Sequence, residues 1–214
     1  MIKAVIFDLD GVISDTQSLH DEANSEILKS YGIKISSEAI TKKWAGVPQR
    51  KLFETIFKEN NVNPDIDKAI FDKWALVIKR INQVKQIPGA IKFVQKLQEE
   101  NFSLAVASSA TADFINRVLN VLKIKSYFTA IVNADEVKNG KPAPDIFQKT
   151  AEKLNINPSD CLVIEDAPTG VQAAKSAGMI CIAITSTHKK EELIGADKII
   201  NSFSEVKVND IIKI

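Results

Sequence analysis

The 214-residue chain has only two cysteines and two histidines, and its charges nearly cancel, with 28 basic and 27 acidic residues. So few cysteines and histidines argue against a soft-metal cluster and favour a reduced cytoplasmic protein. No block of like charge indicates a nucleic-acid or membrane partner. No apolar run reaches membrane-spanning length, and the short N-terminal one ends in acids, unlike a signal peptide. We expect a cytoplasmic protein, with a monomer as the default.

The sequence pattern changes twice along the chain. After a first strand-like run, residues from about 15 to 85 show only helical periodicity, and Pro88-Gly89 then interrupts it. Beyond this point strands alternate with helices, which is typical of a doubly wound parallel sheet. We therefore predict an α/β core built from residues 1–14 and 88–214. A small all-helical cap domain, residues 15–87, would be inserted after the first strand.

The first strand-like run leads directly into two carboxylates. Ala4 to Phe7 is an apolar run rich in β-branched and aromatic residues, and Gly11 ends the stretch that follows it. Asp8 and Asp10 lie two residues apart, so an extended chain points them to the same side. Asp-x-Asp-Gly is also ordinary turn chemistry. This stretch alone therefore leaves a catalytic and a structural interpretation open.

Polar residues also follow three later strands of the predicted sheet. Ser108 ends one strand, Lys141 follows the next, and Glu165-Asp166 ends another. Because parallel strands bring their carboxyl ends to one edge, these groups can converge with the two N-terminal acids. Four carboxylates around one lysine would repel each other without a cation, and carboxylate oxygens suit Mg²⁺. A serine and a lysine are natural partners of a phosphate, so the residues predict a Mg²⁺ site that handles phosphoryl groups.

Four segments resemble, in order and spacing, the four motifs of the haloacid dehalogenase superfamily. They are Phe7 to Val12, Ser108-Ser109, Gly140 to Asp145, and Ile164 to Gly170. The resemblance covers the whole chain. The helical insertion is similar to the cap of the β-phosphoglucomutase-like and phosphoglycolate-phosphatase-like branch, and the last two motifs favour the β-phosphoglucomutase-like side.

The resemblance implies a role for each residue of these motifs. Asp8 would be the nucleophile that takes the phosphoryl group, and Asp10 the general acid and base. Ser108 and Lys141 would bind phosphoryl oxygens, while Ser109 would either join them or cap the next helix. The implied Mg²⁺ ligands are Asp8, the main-chain carbonyl of Asp10, Asp166, and Glu165 either directly or by supporting a ligand. The dehalogenase activity is not expected, because that branch lacks an acid at the position of Asp10.

The predicted cap both resembles the β-phosphoglucomutase branch and departs from it. Thr16 and His20 follow the first motif at a spacing similar to residues that contact the acid/base aspartate in that branch. Gly46-Val47 resembles its specificity loop. The arginine that grips the distal phosphate in the mutases falls near Gln49, and Arg50 lies one place later.

A second departure follows Ser108. The mutases have a Lys-Asn pair there that holds phosphate, whereas this chain has Ala110, Thr111 and Ala112. A mutase must bind two phosphates in turn, but a phosphatase needs to bind only one. We therefore predict a phosphatase that acts on a small phosphorylated metabolite, a sugar phosphate.

Two alternatives stay open at this point. One is β-phosphoglucomutase itself, which interconverts β-glucose 1-phosphate and glucose 6-phosphate, and it would gain if Arg50 reached the distal phosphate. The other is a non-catalytic phosphate sensor. A binding module needs no nucleophile, so the presence of Asp8 with Asp10 argues against the sensor.

Overall fold

The computed structural model describes residues 1–44, 47 and 49–212 of the chain. In this part of the chain the strands are β1 Ala4–Phe7, β2 Ser14–Asp15, β3 Lys85–Gln86, β4 Ser103–Ser108, β5 Ala130–Asn133, β6 Cys161–Glu165, β7 Ile180–Ile184 and β8 Lys198–Ile200. The helices are α1 Gln17–Ser30, α2 Ser37–Trp44, α3 Gln49–Glu59, α4 Ile66–Lys79, α5 Ala90–Glu99, α6 Ala112–Val121, α7 Asp145–Leu154, α8 Pro168–Ser176 and α9 Val208–Ile212. None of the helices described is both long and apolar enough to cross a membrane.

Six strands form one parallel sheet in the order β5-β4-β1-β6-β7-β8. β1 lies between β4 and β6, with Phe7 opposite Val106 and Ile164. Every residue of β1 is fully buried although successive side chains point to opposite faces, so both faces of the sheet are covered. The predicted doubly wound α/β sheet is therefore confirmed.

Each face of the central strand packs against its own set of side chains. On one face Ala4 and Ile6 belong to an apolar cluster that includes Phe147 of α7. On the other face the Phe7 ring makes edge-to-face contacts with Phe93 and Phe128, with centroids 6.3 and 6.1 Å apart. Both layers hold the carboxyl end of β1 in place, which is where the first aspartate follows.

The chain divides into two compact units. One consists of Met1–Asp15 and Lys85–Ile214 and contains the six-stranded sheet, and the other consists of Thr16–Val84 and contains α1 to α4. Where the chain leaves and re-enters the first unit, β2 and β3 pair as antiparallel strands with Asp15 opposite Lys85. The periodicity did not predict this short pair, because two residues are too few to show a pattern.

The four helices of the second unit pack around an apolar cluster of their own. Its members include Leu28 of α1 and two rings of α3, Phe53 and Phe57, whose centroids lie 5.5 Å apart. α4 begins after Asp65, whose carboxylate accepts the main-chain N–H of Lys68 at 3.0 Å and so caps the helix.

One predicted helix face is wrong in part. The apolar periodicity of α4 predicts that Ile70 and Trp74 are buried, but Trp74 is exposed and Ile70 is only half-buried. The buried face consists of Ala69, Lys73 and Val77, and of these three only Val77 belongs to the predicted apolar face. A lysine can lie on this face because its ammonium group has a partner, the Nδ1 atom of His20 at 2.6 Å.

Candidate active site

The polar strand ends meet at the carboxyl edge of the sheet. Asp8 directly follows β1, while Ser108 and Glu165 are the last residues of β4 and β6. These three strands are neighbours and run parallel, so their ends lie together. All three side chains are buried, with 7%, 1% and 1% of the respective residues exposed.

Lys141 reaches this edge from the loop between β5 and α7. Its Nζ atom lies 2.5 Å from Asp8 Oδ1 and 2.6 Å from Glu165 Oε1, and it also donates to the carbonyl of Ala107 at 3.3 Å. The ammonium group has three N–H donors, and each has an acceptor here. Lys141 is therefore not a solvated loop lysine but a fixed positive charge next to Asp8.

Burial and neighbouring charges change the acidity of these groups. Burial raises the pKa of Asp8 from 3.8 to about 7, although Lys141 opposes this change, and the negative charge of Glu165 adds to it. Burial disfavours the charged form of Lys141, but attraction to Asp8 and Glu165 outweighs burial and raises the pKa of Lys141 above its ordinary value. Lys141 therefore stays charged, and its ammonium group is the positive charge that Asp8 and Glu165 share.

Both carboxylate oxygens of Glu165 have partners. Oε1 accepts from Lys141, and Oε2 accepts the main-chain N–H groups of Asp166 at 2.8 Å and Ala167 at 3.0 Å. A Cβ atom at Gly170, in the first turn of α8, would overlap this carboxylate. Glu165 thus supports both the lysine and the loop that carries Asp166.

Asp166 follows Glu165 in the chain and is also buried, with 5% of the residue exposed. Burial raises its pKa well above 3.8, and the negative charges of Glu165 and Asp8 act in the same direction. The loop after β1 approaches it closely: Gly11 has φ +80°, and a Cβ atom there would overlap the Asp166 carboxylate. The half-buried Asp10 immediately precedes this glycine, so the loop brings Asp10 and Asp166 to the same edge.

The two serines after β4 differ in their surroundings. Ser108 is buried, and its Oγ accepts the main-chain N–H of Ala110 at 3.1 Å, so its hydroxyl proton remains available as a donor. Ser109 is exposed. The interpretation of Ser109 as the cap of the next helix is wrong, because Thr111 is the N-cap residue of α6 and accepts the N–H of Phe114 at 3.4 Å.

The donor set at this edge fits a hard divalent cation. Asp8 and Asp166 are buried carboxylates whose pKa values are raised first by burial and further by neighbouring carboxylates, whose charges one lysine does not cancel. Among the residues described, no group of three or more His, Cys, Asp or Glu side chains is arranged as a metal cluster. The implied set requires fewer side chains, since a main-chain carbonyl and waters complete the octahedron that Mg²⁺ prefers.

The predicted residues Thr16 and His20 lie on the first helix of the second unit. Thr16 is the N-cap residue of α1 and is buried, and its carbonyl accepts the N–H of His20 at 3.1 Å. The buried Lys73 donates to Nδ1 of His20, which therefore acts as the acceptor. Burial and the positive charge of Lys73 lower the pKa of His20 to about 3, so this ring is neutral.

The predicted specificity loop is described only in part. Gly46 lies outside the described residues, and Val47 is half-buried against the apolar cluster of the helical unit. Arg50 forms ion pairs with Asp67 and with Glu54, the second at 3.9 Å. The guanidinium group of Arg50 is thus engaged on the surface of its own unit.

The sequence interpretation overlooked two groups of residues. Lys73 was missed although it recurs at helical spacing between Ala69 and Val77, both buried. Thr187 and His188 were missed although they follow the end of β7, as the predicted site residues follow the ends of other strands. The Thr187 hydroxyl donates to Asp166 Oδ2.

The chain is similar to known proteins over most of its length. Residues 5–184 match the haloacid dehalogenase-like hydrolases. A phosphorylated carbohydrates phosphatase of Thermotoga maritima is 33% identical over 181 residues, 83% of this chain and 82% of that protein. The β-phosphoglucomutase of Bacillus subtilis is 30% identical over 213 residues, 96% of this chain and 92% of its own length. Among solved structures, a putative β-phosphoglucomutase from Thermotoga maritima has a TM-score of 0.82 at 30% identity and covers 93% of this chain and 94% of its own.

The match of the family over most of the chain identifies the class of protein. The chain belongs to the haloacid dehalogenase-like hydrolase family. The expected family and the expectation of an enzyme are thereby confirmed.

Proposed function

We propose that this protein is a Mg²⁺-dependent phosphatase that hydrolyses a small phosphorylated metabolite, a sugar phosphate, through an aspartyl-phosphate on Asp8. The observation that carries the proposal is the contact of Lys141 Nζ with Asp8 Oδ1, with the buried Ser108 at the end of the neighbouring strand β4. A carboxylate, an ammonium group and a hydroxyl at one strand edge combine a nucleophile with two ligands for phosphoryl oxygens. The relative named as a phosphatase of phosphorylated carbohydrates supports this substrate class.

In the first half of the reaction, a carboxylate oxygen of Asp8 attacks phosphorus and the bond to the leaving oxygen breaks. Lys141 holds Oδ1 of Asp8, which leaves Oδ2 as the attacking atom. Lys141 turns the N–H group that contacts the Ala107 carbonyl only at 3.3 Å toward a phosphoryl oxygen, and the hydroxyl of Ser108 binds another, where negative charge develops. The carboxyl group of Asp10 gives its proton to the departing alcohol.

In the second half, water attacks the phosphorus of the aspartyl-phosphate. Asp10, now a carboxylate, accepts a proton from this water, and the bond between phosphorus and Asp8 breaks. Inorganic phosphate leaves, and both aspartates return to their starting states. The position of Asp10 two residues after the nucleophile, on the loop between β1 and β2, supports this assignment.

Mg²⁺ would be held by Asp8, Asp166 and the main-chain carbonyl of Asp10, with Glu165 beside them. When bound, it would supply positive charge that offsets the carboxylates and the transferring group. Three buried carboxyl groups, those of Asp8, Glu165 and Asp166, share the single ammonium group of Lys141 at this edge, which supports such a site. We expect an excess of chelator to abolish phosphate release and added Mg²⁺ to restore it, whereas activity that survives in chelator would contradict the assignment.

We propose further that the helical unit, residues 16–84, acts as the cap that selects the substrate. Its own apolar cluster makes it a separate packing unit. Arg50 bears on the choice between phosphatase and mutase, since a mutase needs a grip on the distal phosphate. The ion pairs of Arg50 with Asp67 and Glu54 engage its guanidinium group at the exposed surface of the helical unit, and a phosphatase needs no contact from it with a second phosphate.

β-Phosphoglucomutase remains the second candidate because the enzyme of Bacillus subtilis is similar over nearly the whole chain. ³¹P NMR of the purified protein with Mg²⁺, β-glucose 1-phosphate and a trace of glucose 1,6-bisphosphate separates the two functions. We expect inorganic phosphate to appear from this or another sugar phosphate of a panel. Glucose 6-phosphate without free phosphate would establish the mutase instead.

The matched control for this experiment is the Asp8→Asn variant, which keeps the size of the side chain but removes the nucleophile. We expect its rate to fall by at least about a thousandfold, with unchanged circular dichroism. Substantial turnover by a folded Asp8→Asn protein would contradict the covalent mechanism for either candidate function.

A further inference from the structure

The loop after β7 contacts the site from the side opposite Lys141, and neither the motifs nor the proposed mechanism uses it. Its start is held to the sheet, since the main-chain N–H of Thr185 donates to the carbonyl of Ile200 at 2.9 Å. The next residues turn toward the loops that carry the aspartates. Ser186 Oγ donates to the carbonyl of Gly11, and Thr187 Oγ1 donates to Asp166 Oδ2. One loop therefore ties together two segments of the candidate metal site.

Hydrogen-bond chemistry fixes the direction of the contact between Thr187 and Asp166. Nδ1 of His188 lies 3.1 Å from the main-chain carbonyl of Asp166 and 2.9 Å from Thr187 Oγ1. A carbonyl only accepts, so Nδ1 carries the proton and donates to both oxygens. The Thr187 hydroxyl therefore accepts from His188, and its single proton is directed to the Asp166 carboxylate, which is nearer than the main-chain carbonyl of Asp166 at 3.4 Å.

The carboxylate needs such a partner to keep one orientation. The terminal torsion of an aspartate is broad and roughly two-fold, so the side chain alone does not define which oxygen faces the site. Thr187 binds Oδ2 and leaves Oδ1 as the oxygen for a cation. The methyl group of Thr187 also lies against Gly11, because a Cβ atom at that glycine would come within 2.8 Å of it.

We propose that Thr187 is a positioning residue that orients the Asp166 carboxylate for Mg²⁺, with His188 orienting the Thr187 hydroxyl. The proposal rests on the proposed function, since it takes Asp166 as a ligand of the cation. Hydrogen-bond partners of metal ligands commonly change metal affinity by 10- to 100-fold when they are removed. The loss of the Thr187 hydroxyl should therefore weaken Mg²⁺ binding even without substrate.

Mg²⁺ binding to the chelator-treated, full-length protein, measured by isothermal titration calorimetry, tests the proposal without relying on activity. We expect Thr187→Val to raise the Kd for Mg²⁺ about tenfold. Thr187→Ser keeps the hydroxyl and should bind within about twofold of the unmodified protein. Thr185→Val is the matched control, because its hydroxyl hydrogen-bonds with Asn201 rather than with either aspartate loop, and its Kd should not change.

The activity of the same variants then separates positioning from general damage to the site. The Mg²⁺ concentration that half-activates Thr187→Val should rise by the same factor as its Kd, while kcat at saturating Mg²⁺ stays near that of the unmodified protein. Thr187 is exposed, so the variant should fold, and Thr187→Ala provides a second test if it does not.

The possible failures are distinguishable. If the unmodified protein releases phosphate and binds Mg²⁺, but Thr187→Val binds Mg²⁺ equally well, the positioning role is overturned and the proposed function stands. Thr187→Ser as weak as Thr187→Val would also overturn it, since the hydroxyl would then not be the cause. If the unmodified protein binds no Mg²⁺, the proposed metal site fails, and the role of Thr187 fails with it.

Discussion

At the carboxyl edge of the sheet, the positive charge of one side chain, Lys141, compensates the charges of two buried carboxylates. Its ammonium group touches Asp8 and Glu165 in a nearly dry environment. Removing one partner of a buried ion pair usually costs more than the pair contributes, because the other charge is left without compensation. Two carboxylates would lose their partner at once here. The lysine is therefore important for stability as well as for the proposed binding of phosphate.

Replacing Lys141 with methionine keeps the length of the side chain and removes its charge. We expect the free energy of unfolding of the metal-free protein to fall by about 3 kcal/mol or more at neutral pH, and phosphatase activity to fall at least about a hundredfold. Urea denaturation and phosphate release measure the two effects. Lys138→Met, at an exposed position of the same loop, is the matched control and should change stability by less than about 0.5 kcal/mol.

The raised pKa of Asp8 predicts how stability depends on pH. The pKa of Asp8 rises from 3.8 to about 7 on folding, so between these values the folded protein binds more protons than the unfolded chain. The contribution of Asp8 to stability is full below about pH 4 and is lost as pH rises through about 7. In metal-free buffer, Asp8→Asn should therefore gain stability relative to the unmodified protein across this range. A stability difference that does not change with pH would contradict the raised pKa.

At the scale of elements, the junction between β6 and α8 decides the geometry of the site. Glu165 ends the strand, and its carboxylate lies against the first turn of the helix. Gly170 leaves space for that carboxylate. Alanine is ordinarily the better residue inside a helix, so the glycine reflects close packing rather than helix propensity.

Gly170→Ala should therefore destabilise the protein although it favours the helix. We expect a loss of about 1–3 kcal/mol from overpacking and a fall in kcat/KM, since the displaced Glu165 carries Lys141 with it. Gly140→Ala is the control, because among the described residues no atom beyond its two chain neighbours lies within 4 Å of a Cβ atom at Gly140. Thermal unfolding of both variants measures the difference, and equal melting temperatures would show that Glu165 moves without cost.

At the scale of the whole molecule, the chain builds two units with separate apolar clusters. The connections between them lie next to the antiparallel pair of β2 and β3, where Asp15 lies opposite Lys85. A two-residue loop is the usual closure of such a pair. The sheet unit can therefore be closed into a continuous chain without the helical unit.

Replacing residues 16–84 with Asn-Gly should yield a folded sheet unit. If the helical unit is the cap, this variant should lose about a hundredfold or more in kcat/KM for its best sugar phosphate. It should still hydrolyse a small, unhindered ester such as p-nitrophenyl phosphate, because the nucleophile and its partners remain. Unchanged discrimination between the two substrates would contradict the role of the helical unit as a selective cap.

Patterns of neighbouring residues in the sequence were sufficient to predict which polar side chains lie at the carboxyl edge of the sheet. Apolar runs that end in Asp8, Ser108 and Glu165 predict both the strands and the position of these side chains, because alternation and strand ends are local properties. The buried face of α4 was not predictable in this way. A pattern of apolar and polar residues places Trp74 on the buried face and Lys73 on the exposed one. In the structure the contact with His20 allows the lysine to be buried instead.

The sequence by itself thus determined the parallel α/β class, the family, and which strands end in polar residues. Each of these follows from residues that are close to one another along the chain. Only the tertiary structure decided which side chains meet. Lys141 pairs with Asp8 across 133 positions, and Thr187 reaches Asp166 from a loop beyond the last motif. Such pairings depend on strand order, register and the reach of long side chains, because these bring distant loops within the few ångströms over which hydrogen bonds act.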